Sequence, residues 1–337
     1  MVLIDAIFIN GGGGKVLLDY LFKELSQVSD LSVTFLIDKR IEEDYSEKLT
    51  SNVNIIFLEG LKARNIFLKT NRNDFKKVLC FGNVPPNIKM SGIVYTYFHQ
   101  LMYLEIPKEF SIIEKIKFRV KLFIIKMYLK NTNFWIVQND IIKSRFAKKF
   151  NVSYSNVLKL PFYPPLESNS VVKRNRLSYI YVSNATPHKN HFNLIKAFCM
   201  FYDEKKVGSL VLTISSNYKE IFDFCNEKIS EGYPIKNIGF VKRNDLANYY
   251  KENDFLIYPS LAESFGLGIV EAIDNGCNVI GADLPYLYEV CNPSIVFKPA
   301  DIKSIYNSLC TSLNDEYPKT TKKITNEIIT LIKLLKD

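Results

Sequence analysis

The sequence lacks several features that define the simplest functional classes. No run of 18 or more uncharged apolar residues occurs in its 337 residues, so we expect no ordinary transmembrane helix. The six cysteines are scattered without a C-x-x-C pair, which favours reduced thiols in a cytoplasmic protein over a disulfide scaffold or zinc site. Only 14 glycines and 13 prolines are present, which excludes a collagen-like or linker-like chain. The N-terminus has no basic start and leads into glycines, unlike a signal peptide.

Acidic residues are in deficit only in the first half of the chain. Residues 1–165 hold 24 Lys and Arg against 15 Asp and Glu, which accounts for the whole net charge of +9. Residues 108–149 alone hold 11 basic and 3 acidic residues. This patch indicates an anionic membrane, nucleic acid or a phosphorylated substrate, unless it is only a solvated surface. Because aromatics on a sheet face and groove-reading motifs are not evident, we expect no nucleic-acid partner.

Short apolar, β-branched and aromatic runs alternate with helical patterns along the chain. This alternation predicts an α/β protein of two doubly wound, Rossmann-like domains that face a cleft. Ligands of such sheets bind outside the carboxyl ends of the strands. The runs predicted to be strands are 2–9, 32–37, 54–58, 78–81, 93–98, 134–138, 157–160, 177–182, 209–214, 237–240, 254–258, 278–281 and 294–297.

A segment with three prolines and a polar stretch interrupts this pattern near the midpoint. It predicts a domain boundary, since boundaries fall in polar, proline-rich linkers. We therefore expect an N-terminal domain at 1–160, a linker at 161–176, a C-terminal domain at 177–316 and a final amphipathic helix at 317–337.

A glycine-rich loop, Asn10-Gly-Gly-Gly-Gly-Lys15, directly follows the first predicted strand. Glycines let the backbone approach a ligand closely, and a helix N-terminus favours an anion. The loop is not a P-loop, because Ile9 and Val16 stand where that pattern needs Gly and Ser or Thr. A tight strand-to-helix turn would account for the same residues.

Two glutamates, Glu263 and Glu271, stand eight residues apart around a helix predicted to open near Ser264. The amides of residues 265–268 would then lie unpaired at its N-terminus and suit a pyrophosphate. Glu263 would sit at the mouth of the site and Glu271 about two turns into the helix. Carboxylates accept hydrogen bonds from sugar hydroxyls without a metal, although both could also be ordinary helix acids.

The run P-S-x-x-E-S-F-G-L-x-x-x-E-A-x-x-x-G-x-x-V-I resembles the E-x7-E signature of family 4 of the retaining glycosyltransferases, which have the GT-B fold. Further matches follow the family's order over nearly the whole chain. They are GGGGKVLLDYL, YTYFHQ, YVSNATPHKNHFNLIKAF and NIGFVKRNDLANYYKENDFLIYPS. The resemblance implies two Rossmann-like domains that transfer a sugar from a nucleotide-diphosphate sugar.

The resemblance also implies residue roles. Lys189 would touch the donor diphosphate, Glu263 the hydroxyls of the sugar, and Glu271 those of the ribose. His99 would lie beside the donor sugar. Backbone groups would cradle the phosphates or sugar at Ser264, Phe265, Gly266 and Leu267. Gly11 and Gly12 would approach the diphosphate or the acceptor from the other domain. Glu289 also falls in a familiar place after the signature.

The chain departs from the family at Asn184, a predicted donor-binding position where many members have an Arg five residues before the phosphate-binding Lys. An amide cannot replace the bidentate contacts of a guanidinium. Either Lys189 and the helix N-terminus suffice, or Arg243, Arg174 or Arg176 supplies the missing charge.

Metal and cofactor signals are weak. His188 and His191 have the spacing of a metal pair, but no third ligand is evident nearby, and no Asp-x-Asp anchor for a divalent ion stands out. We therefore expect no metal and no cofactor, with the nucleotide sugar, UDP- or GDP-linked, as a substrate.

The basic segment 111–131 has two apolar faces on a helical wheel. One holds Ile113, Ile116, Val120, Phe123 and Met127, and the other holds Phe118, Leu122, Ile125 and Leu129. Basic ridges separate them, with Lys115, Arg119, Lys126 and Lys130 on one side and Lys117 and Lys121 on the other. This pattern predicts a helix that packs one face in its domain and lays the other on an anionic membrane, or else a core helix with snorkelling lysines.

The sequence thus predicts a retaining, metal-independent glycosyltransferase, with a glycan or lipid-diphosphate-linked acceptor in bacterial surface polysaccharide synthesis. We expect it in the cytoplasm, peripheral to the inner face of the plasma membrane. The alternatives are an inactive homologue that binds a glycan or partner, and a nucleotide-sugar epimerase on the same scaffold.

Overall fold

The structure is a computed structural model that describes residues 1–48, 50–106, 112–166, 170, 172–314 and 316–337. The chain forms two compact units. Unit 1 comprises Met1–Pro164 and Thr325–Asp337, and unit 2 comprises Pro165–Ile324. Each unit is built on a parallel sheet with helical connections, which confirms the predicted α/β fold of two Rossmann-like domains.

The strands follow the predicted apolar runs. In chain order they are β1 (Val2–Ala6), β2 (Val33–Asp38), β3 (Val53–Leu58), β4 (Lys77–Cys80), β5 (Ile93–Tyr97), β6 (Phe134–Val137), β7 (Val157–Lys159), β8 (Asn175–Tyr181), β9 (Ser209–Leu212), β10 (Ile235–Asn237), β11 (Asn253–Tyr258), β12 (Asn278–Ala282), β13 (Cys291–Asn292), β14 (Ile295–Phe297) and β15 (Thr321–Lys322).

Helices fill most of the intervals between strands. In chain order they are α1 (Gly12–Ser26), α2 (Gly60–Thr70), α3 (Ile112–Tyr128), α4 (Asp140–Phe150), α5 (His191–Lys205), α6 (Lys219–Ser230), α7 (Arg243–Glu252), α8 (Leu267–Asp274), α9 (Pro285–Val290), α10 (Ile302–Thr311) and α11 (Ile328–Lys336).

Unit 1 has a seven-stranded sheet in the order β3-β2-β1-β4-β5-β6-β7, and its strand pairs are parallel. All five residues of β1 are buried, as expected for a central strand covered on both faces. Next to β1 the strand order reverses, because β2 lies on one side and β4 on the other. Ligands of doubly wound sheets bind at such a switch point, outside the carboxyl ends of the strands.

Unit 2 has a six-stranded parallel sheet in the order β10-β9-β8-β11-β12-β14. Its switch point lies between β8 and β11, since β9 flanks β8 on the other side. A small antiparallel pair, β13 with β15, lies beside this sheet. The sequence pattern did not predict that pair, because strands of two residues leave no periodicity to detect.

Each of the thirteen runs predicted to be strands overlaps an observed strand, and the largest displacement is at 237–240. There, β10 ends at Asn237, and Gly239 follows with a φ of +65°. A left-handed φ is incompatible with an extended strand and favours glycine. The apolar run therefore continues beyond the strand into the loop that leads to α7.

The C-terminal segment differs from the prediction of one helix at 317–337. Helix appears only at α11, and residues 325–337 belong to unit 1 rather than extending unit 2. Lys77 Nζ donates to the carbonyl of Leu334 at 2.8 Å, and Lys336 Nζ lies 2.5 Å from Asp30 Oδ2. The unit boundary lies between Pro164 and Pro165, inside the predicted linker, of which residues 167–169 and 171 lie outside the described residues.

Candidate functional site

The main cluster of predicted site residues lies in unit 2, at the carboxyl ends of strands beside the switch point. Lys189 stands in the loop after β8, and Glu263 stands in the loop after β11. Arg243 is the first residue of α7, which follows β10, and Glu271 lies on α8. The sheet order therefore brings together residues as far apart in the sequence as Lys189 and Glu263, which are separated by 74 positions.

Lys189 and Glu263 form an ion pair, with Nζ 2.5 Å from Oε1. The hydroxyl of Tyr258, the last residue of β11, donates to the same carboxylate oxygen at 2.9 Å. Both charged side chains are largely shielded, with 16% and 11% of their surface exposed. This arrangement fixes the position of the ammonium and leaves the second oxygen of Glu263 as a further acceptor.

The loop that carries Lys189 is held by backbone contacts. Residues Pro187–Lys189 form a 3-10 turn, and Asn190 follows with a φ of +62°, which ends it. The Asn190 amide donates to the carbonyls of Pro259 at 3.2 Å and Pro299 at 2.7 Å. Leu261 N also donates to the His188 carbonyl at 2.8 Å, so hydrogen bonds join the loops after β8 and β11.

A second ion pair joins Arg243 and Glu271. The Glu271 side chain is only 5% exposed, whereas that of Arg243 is 26% exposed. Burial raises the pKa of Glu271, and the charge and hydrogen bond of Arg243 oppose this shift. The guanidinium thus offsets part of the cost of placing a charged carboxylate at this buried position.

Helix α8 begins later than predicted. Its first residue is Leu267, and Gly266 caps it with a φ of +80°. The left-handed φ favours glycine at position 266, and a Cβ there would also lie 2.9 Å from Ile269 Cδ1, so that the end of this side chain would have to shift. The expected helix start at Ser264 is therefore wrong, and Glu271 lies about one turn into the helix rather than two.

The later start changes which amides are available. In the first turn of a helix the N–H groups have no carbonyl four residues earlier to bond. These groups are the amides of Leu267 and Gly268. Phe265 precedes the helix, and its side chain is buried in the core. Glu289 lies half-buried on α9.

The three arginines that could supply the charge missing at Asn184 have different environments in the structure. The Arg174 guanidinium donates to the carbonyls of Asn253, Asn275 and Gly276 at 2.7–2.8 Å, so it serves the fold. Arg176 lies near the amino end of β8, at the opposite edge of the sheet from the site. Asn184 itself is exposed in the loop after β8. Of these three, only Arg243 stands beside a predicted site residue.

The two histidines near Lys189 differ in environment. His191 is buried against Tyr181, with ring centroids 4.7 Å apart. Burial, and secondarily the charge of Lys189, lowers the His191 pKa to about 3, so the ring is neutral. His188 is half-buried, and burial lowers its pKa also. Within the described part of the chain, no group of three or more His, Cys, Asp or Glu side chains could hold a metal ion.

A second cluster lies in unit 1, at the carboxyl ends of β1, β4 and β5. The glycine loop follows β1, Asn83 follows β4, and His99 follows β5. The His99 N–H donates to Asn83 Oδ1 at 2.8 Å, and the Asn83 amide nitrogen lies 3.1 Å from His99 Nε2. Because the amide oxygen faces the backbone N–H, its nitrogen must donate to Nε2, which assigns the tautomer with the proton on Nδ1.

His99 is neutral in this cluster. Burial lowers its pKa to about 4, although a hydrogen bond with the Phe81 backbone opposes the shift. The ring stacks on Phe81 at a centroid distance of 5.9 Å. A Cβ on Gly14 would lie 3.4 Å from His99 Cε1, so the glycine loop approaches the imidazole closely.

The loop glycines face open space. A Cβ built on Gly11, Gly12 or Gly13 would meet no atom within 4 Å, and Gly12 has a φ of +61°. Lys15, in contrast, is engaged by Asp19 at 2.9 Å and Asp44 at 3.2 Å. Burial lowers the Lys15 pKa, but those two carboxylates outweigh it and raise the value overall. The loop therefore offers backbone rather than its lysine to a ligand.

Sequence reasoning missed Tyr258 and Asn83 as partners of predicted site residues. Both stand at or after the end of a strand, where a polar side chain reaches the ligand edge of a sheet. Asn83 carries a further signal only visible in the structure, a φ of +68°, which is uncommon outside glycine.

The chain is similar to known proteins in sequence and in fold. Residues 166–329 match the family of glycosyl transferases group 1. The O-antigen chain mannosyltransferase RfbU of Salmonella typhimurium is 26% identical over 196 residues, which is 58% of this chain. The chain spans about half the length of that relative, 54%.

Two solved structures resemble the chain as a whole. Sucrose-phosphate synthase of Thermosynechococcus elongatus superposes with a TM-score of 0.72 at 14% identity, covering 93% of this chain and 90% of that one. The HepE protein of Anabaena, in complex with UDP and glucose, superposes with a TM-score of 0.69 at 14% identity and the same coverage. Residues 166–329 are thus similar to the glycosyl transferases group 1, and the chain as a whole has the two-domain GT-B fold.

Proposed function

We propose that this protein is a glycosyltransferase that moves a sugar from a nucleotide-diphosphate sugar to a glycan or lipid-linked acceptor in bacterial surface polysaccharide synthesis. The observation that carries this proposal is the Lys189–Glu263 pair at the switch point of unit 2. A cation for phosphate and a carboxylate for sugar hydroxyls meet there within 2.5 Å. A sugar phosphate carries both of these partners, since its phosphate and its sugar hydroxyls lie on either side of the glycosidic bond.

In this proposal Lys189 holds the diphosphate and Glu263 orients the sugar. The ammonium is fixed by Glu263 before the donor binds, so its favourable interaction with the phosphates needs little reorganisation. Tyr258 keeps the Glu263 carboxylate in place. The amides of Leu267 and Gly268 add the positive end of α8 to the same anion.

Glu271 and Arg243 form the nucleoside end of the site. A buried carboxylate is a strong acceptor for the two ribose hydroxyls, and its partner Arg243 is partly exposed and so accessible to a ligand. We infer that Arg243 supplies the charge that Asn184 does not, by contacting the diphosphate while it remains beside Glu271. The cluster of Gly11, Gly12 and His99 in unit 1 is assigned to the sugar or the acceptor.

The transfer proceeds with retention of configuration and without a divalent metal. The bond between the anomeric carbon and the diphosphate oxygen breaks, and the acceptor oxygen bonds to the same face of that carbon. The departing diphosphate accepts the proton of the acceptor hydroxyl. Lys189 and Arg243 stabilise the charge that develops on the leaving group, since fixed cations are most effective where charge appears in the transition state.

The proposed acceptor class is supported by a relative that is named an O-antigen chain mannosyltransferase. We infer a lipid-diphosphate carrier for this glycan and place the reaction at the cytoplasmic face of a membrane. None of the described helices is long and apolar enough to cross a bilayer.

A second function, binding of a glycan or nucleotide without turnover, is favoured by one observation. Asn184 is exposed and uncharged where an arginine is common in the resembling family. An inactive homologue would bind nucleotide diphosphate but release no nucleotide from any donor.

The test is a panel of UDP- and GDP-sugars. A true donor at a hundredfold excess over its dissociation constant stabilises the fold by about 2.7 kcal/mol, which a thermal-shift assay detects. Nucleotide release with that donor, and retention in the product by NMR, would establish the enzyme. Binding without release would support the inactive homologue. Absence of any shift would refute the donor site.

A further inference from the structure

Helix α3 carries an exposed apolar face that we call the apolar stripe. It consists of Ile112, Ile113, Ile116, Val120, Phe123 and Met127, each between 52% and 77% exposed. At about 100° per residue these side chains fall within one third of the helix circumference. At 1.5 Å per residue the stripe is about 22 Å long. Single exposed apolar residues are ordinary, but a contiguous patch of this kind marks an interaction surface.

The opposite face of α3 is packed in the core of unit 1. Ile125 is fully buried, and Phe118 and Leu122 pack against the cluster around Trp135 and Phe146. This confirms that the helix has two apolar faces and that its own domain covers one of them. It also shows that the alternative of a core helix covered on both sides is wrong. Residue 111 of the predicted segment lies outside the described residues.

Basic side chains flank the apolar stripe on both sides. Lys117 and Lys121 lie along one edge, and Arg119 and Lys126 lie along the other, all of them exposed. We call these two rows the basic ridges. On a helix lying in a membrane interface, the apolar face enters the acyl boundary while flanking cations reach the lipid phosphates.

We propose that α3 docks this protein on an anionic bilayer, with the apolar stripe in the headgroup–acyl boundary and the basic ridges on the lipid phosphates. Charge complementarity selects this occupant. A second copy of the chain would meet the stripe through a two-fold axis, which brings ridges of equal charge together. A lipid surface offers apolar chains and phosphates in parallel layers along the full length of the helix.

The test is co-sedimentation of the full chain with vesicles of phosphatidylglycerol and phosphatidylcholine in equal parts, against vesicles of phosphatidylcholine alone. We expect binding to the anionic vesicles, weakened at about 1 M salt, where the Debye length falls to about 3 Å. Each basic residue near an anionic surface contributes about 1 kcal/mol. Neutralising two should therefore lower the partition coefficient about thirtyfold.

Three double variants separate the stripe from the ridges. Ile116→Glu/Phe123→Glu alters the apolar stripe, and Lys117→Glu/Lys121→Glu alters one basic ridge. The matched control is Ile66→Glu/Ile329→Glu, which places the same charges on residues 58% and 65% exposed on α2 and α11. Circular dichroism and thermal melting establish that each variant is folded before it is assayed.

The proposal is supported if both α3 variants lose at least thirtyfold in binding to anionic vesicles while the control binds as the original chain does. Equal losses in the control, or no binding by the original chain, would overturn it. A dimer that the stripe variant converts to a monomer in light scattering would show that a second copy covers α3 instead. Loss of turnover on a soluble acceptor in the ridge variant would place α3 in the active site and also refute docking.

Discussion

Replacement of Lys189 by methionine removes the ammonium while keeping most of the side-chain volume, and it is the sharpest test of the proposed chemistry. The leaving diphosphate gains charge as the glycosidic bond breaks, so a fixed cation is worth more in the transition state than in the ground state. Two unit charges about 4 Å apart interact by about 4 kcal/mol at an effective dielectric constant of about 20. Lys189 is only 16% exposed, so this shielded value applies better than that of bulk water.

We expect Lys189→Met to lower turnover at least about a hundredfold, which corresponds to about 2.7 kcal/mol of that interaction. Because position 184 is an uncharged Asn, Arg243 is the other cation that we propose at the diphosphate. We therefore expect little compensation for the lost charge of Lys189. The assay is the initial rate of nucleotide release at saturating donor and soluble acceptor. Lys219→Met is the matched control, because Lys219 is also ion-paired, at 2.6 Å to Asp223, but is 84% exposed. Its loss should leave the rate unchanged.

A double variant distinguishes a direct role of Lys189 from one exerted through Glu263. If Lys189 only positions that carboxylate, Lys189→Met should have little effect in a Glu263→Gln background, where the ion pair is already gone. If Lys189 stabilises the leaving group, Lys189→Met should lower the rate further in the Glu263→Gln background. A near-normal rate for the single variant would refute the reasoning and would indicate that Arg243 holds the diphosphate.

Three further outcomes follow from the same geometry. Glu271→Ala should weaken nucleotide diphosphate binding by about 1.5–3 kcal/mol in calorimetry, because ribose hydroxyls lose a charged acceptor, and unchanged affinity would exclude the ribose assignment. Glu263→Ala should keep nucleotide diphosphate affinity within about threefold but lose turnover, since Glu263 contacts the sugar, and parallel losses in both would contradict this division. Burial lowers the His191 pKa to about 3 from its ordinary 6.5. On acidification the unfolded chain therefore takes up the proton first, and the stability that neutral His191 contributes is lost as pH falls below 6.5. In His191→Phe, the free energy of unfolding measured by urea titration should therefore depend less on pH between pH 7 and 5, by up to about 1.4 kcal/mol per pH unit. An unchanged pH dependence would show that another group titrates.

Features carried by local pattern were predictable from the sequence. Parallel strands buried on both faces need continuous apolar runs, which is why all thirteen runs overlap a strand. The two faces of α3 were predictable for the same reason, because a helical period of 3.6 assigns each side chain a direction. The glutamates and Lys189 were identified by resemblance to a family, since spacing in the sequence does not by itself distinguish a ligand from an ordinary helix acid.

The tertiary structure decided which distant groups meet. The pairs Lys189–Glu263 and Arg243–Glu271 depend on the strand order that sets β8 beside β11, and long-range order of this kind leaves no periodic trace in the chain. Arg174 and Arg243 are equivalent in the sequence, yet one clamps backbone carbonyls and the other joins the site. The start of α8 at Leu267 depends on the left-handed conformation of Gly266, and the return of residues 325–337 to unit 1 depends on partners such as Lys77 that lie some 250 residues earlier. Local propensity determines which segments become strands and helices, whereas packing between them determines where their polar ends lie.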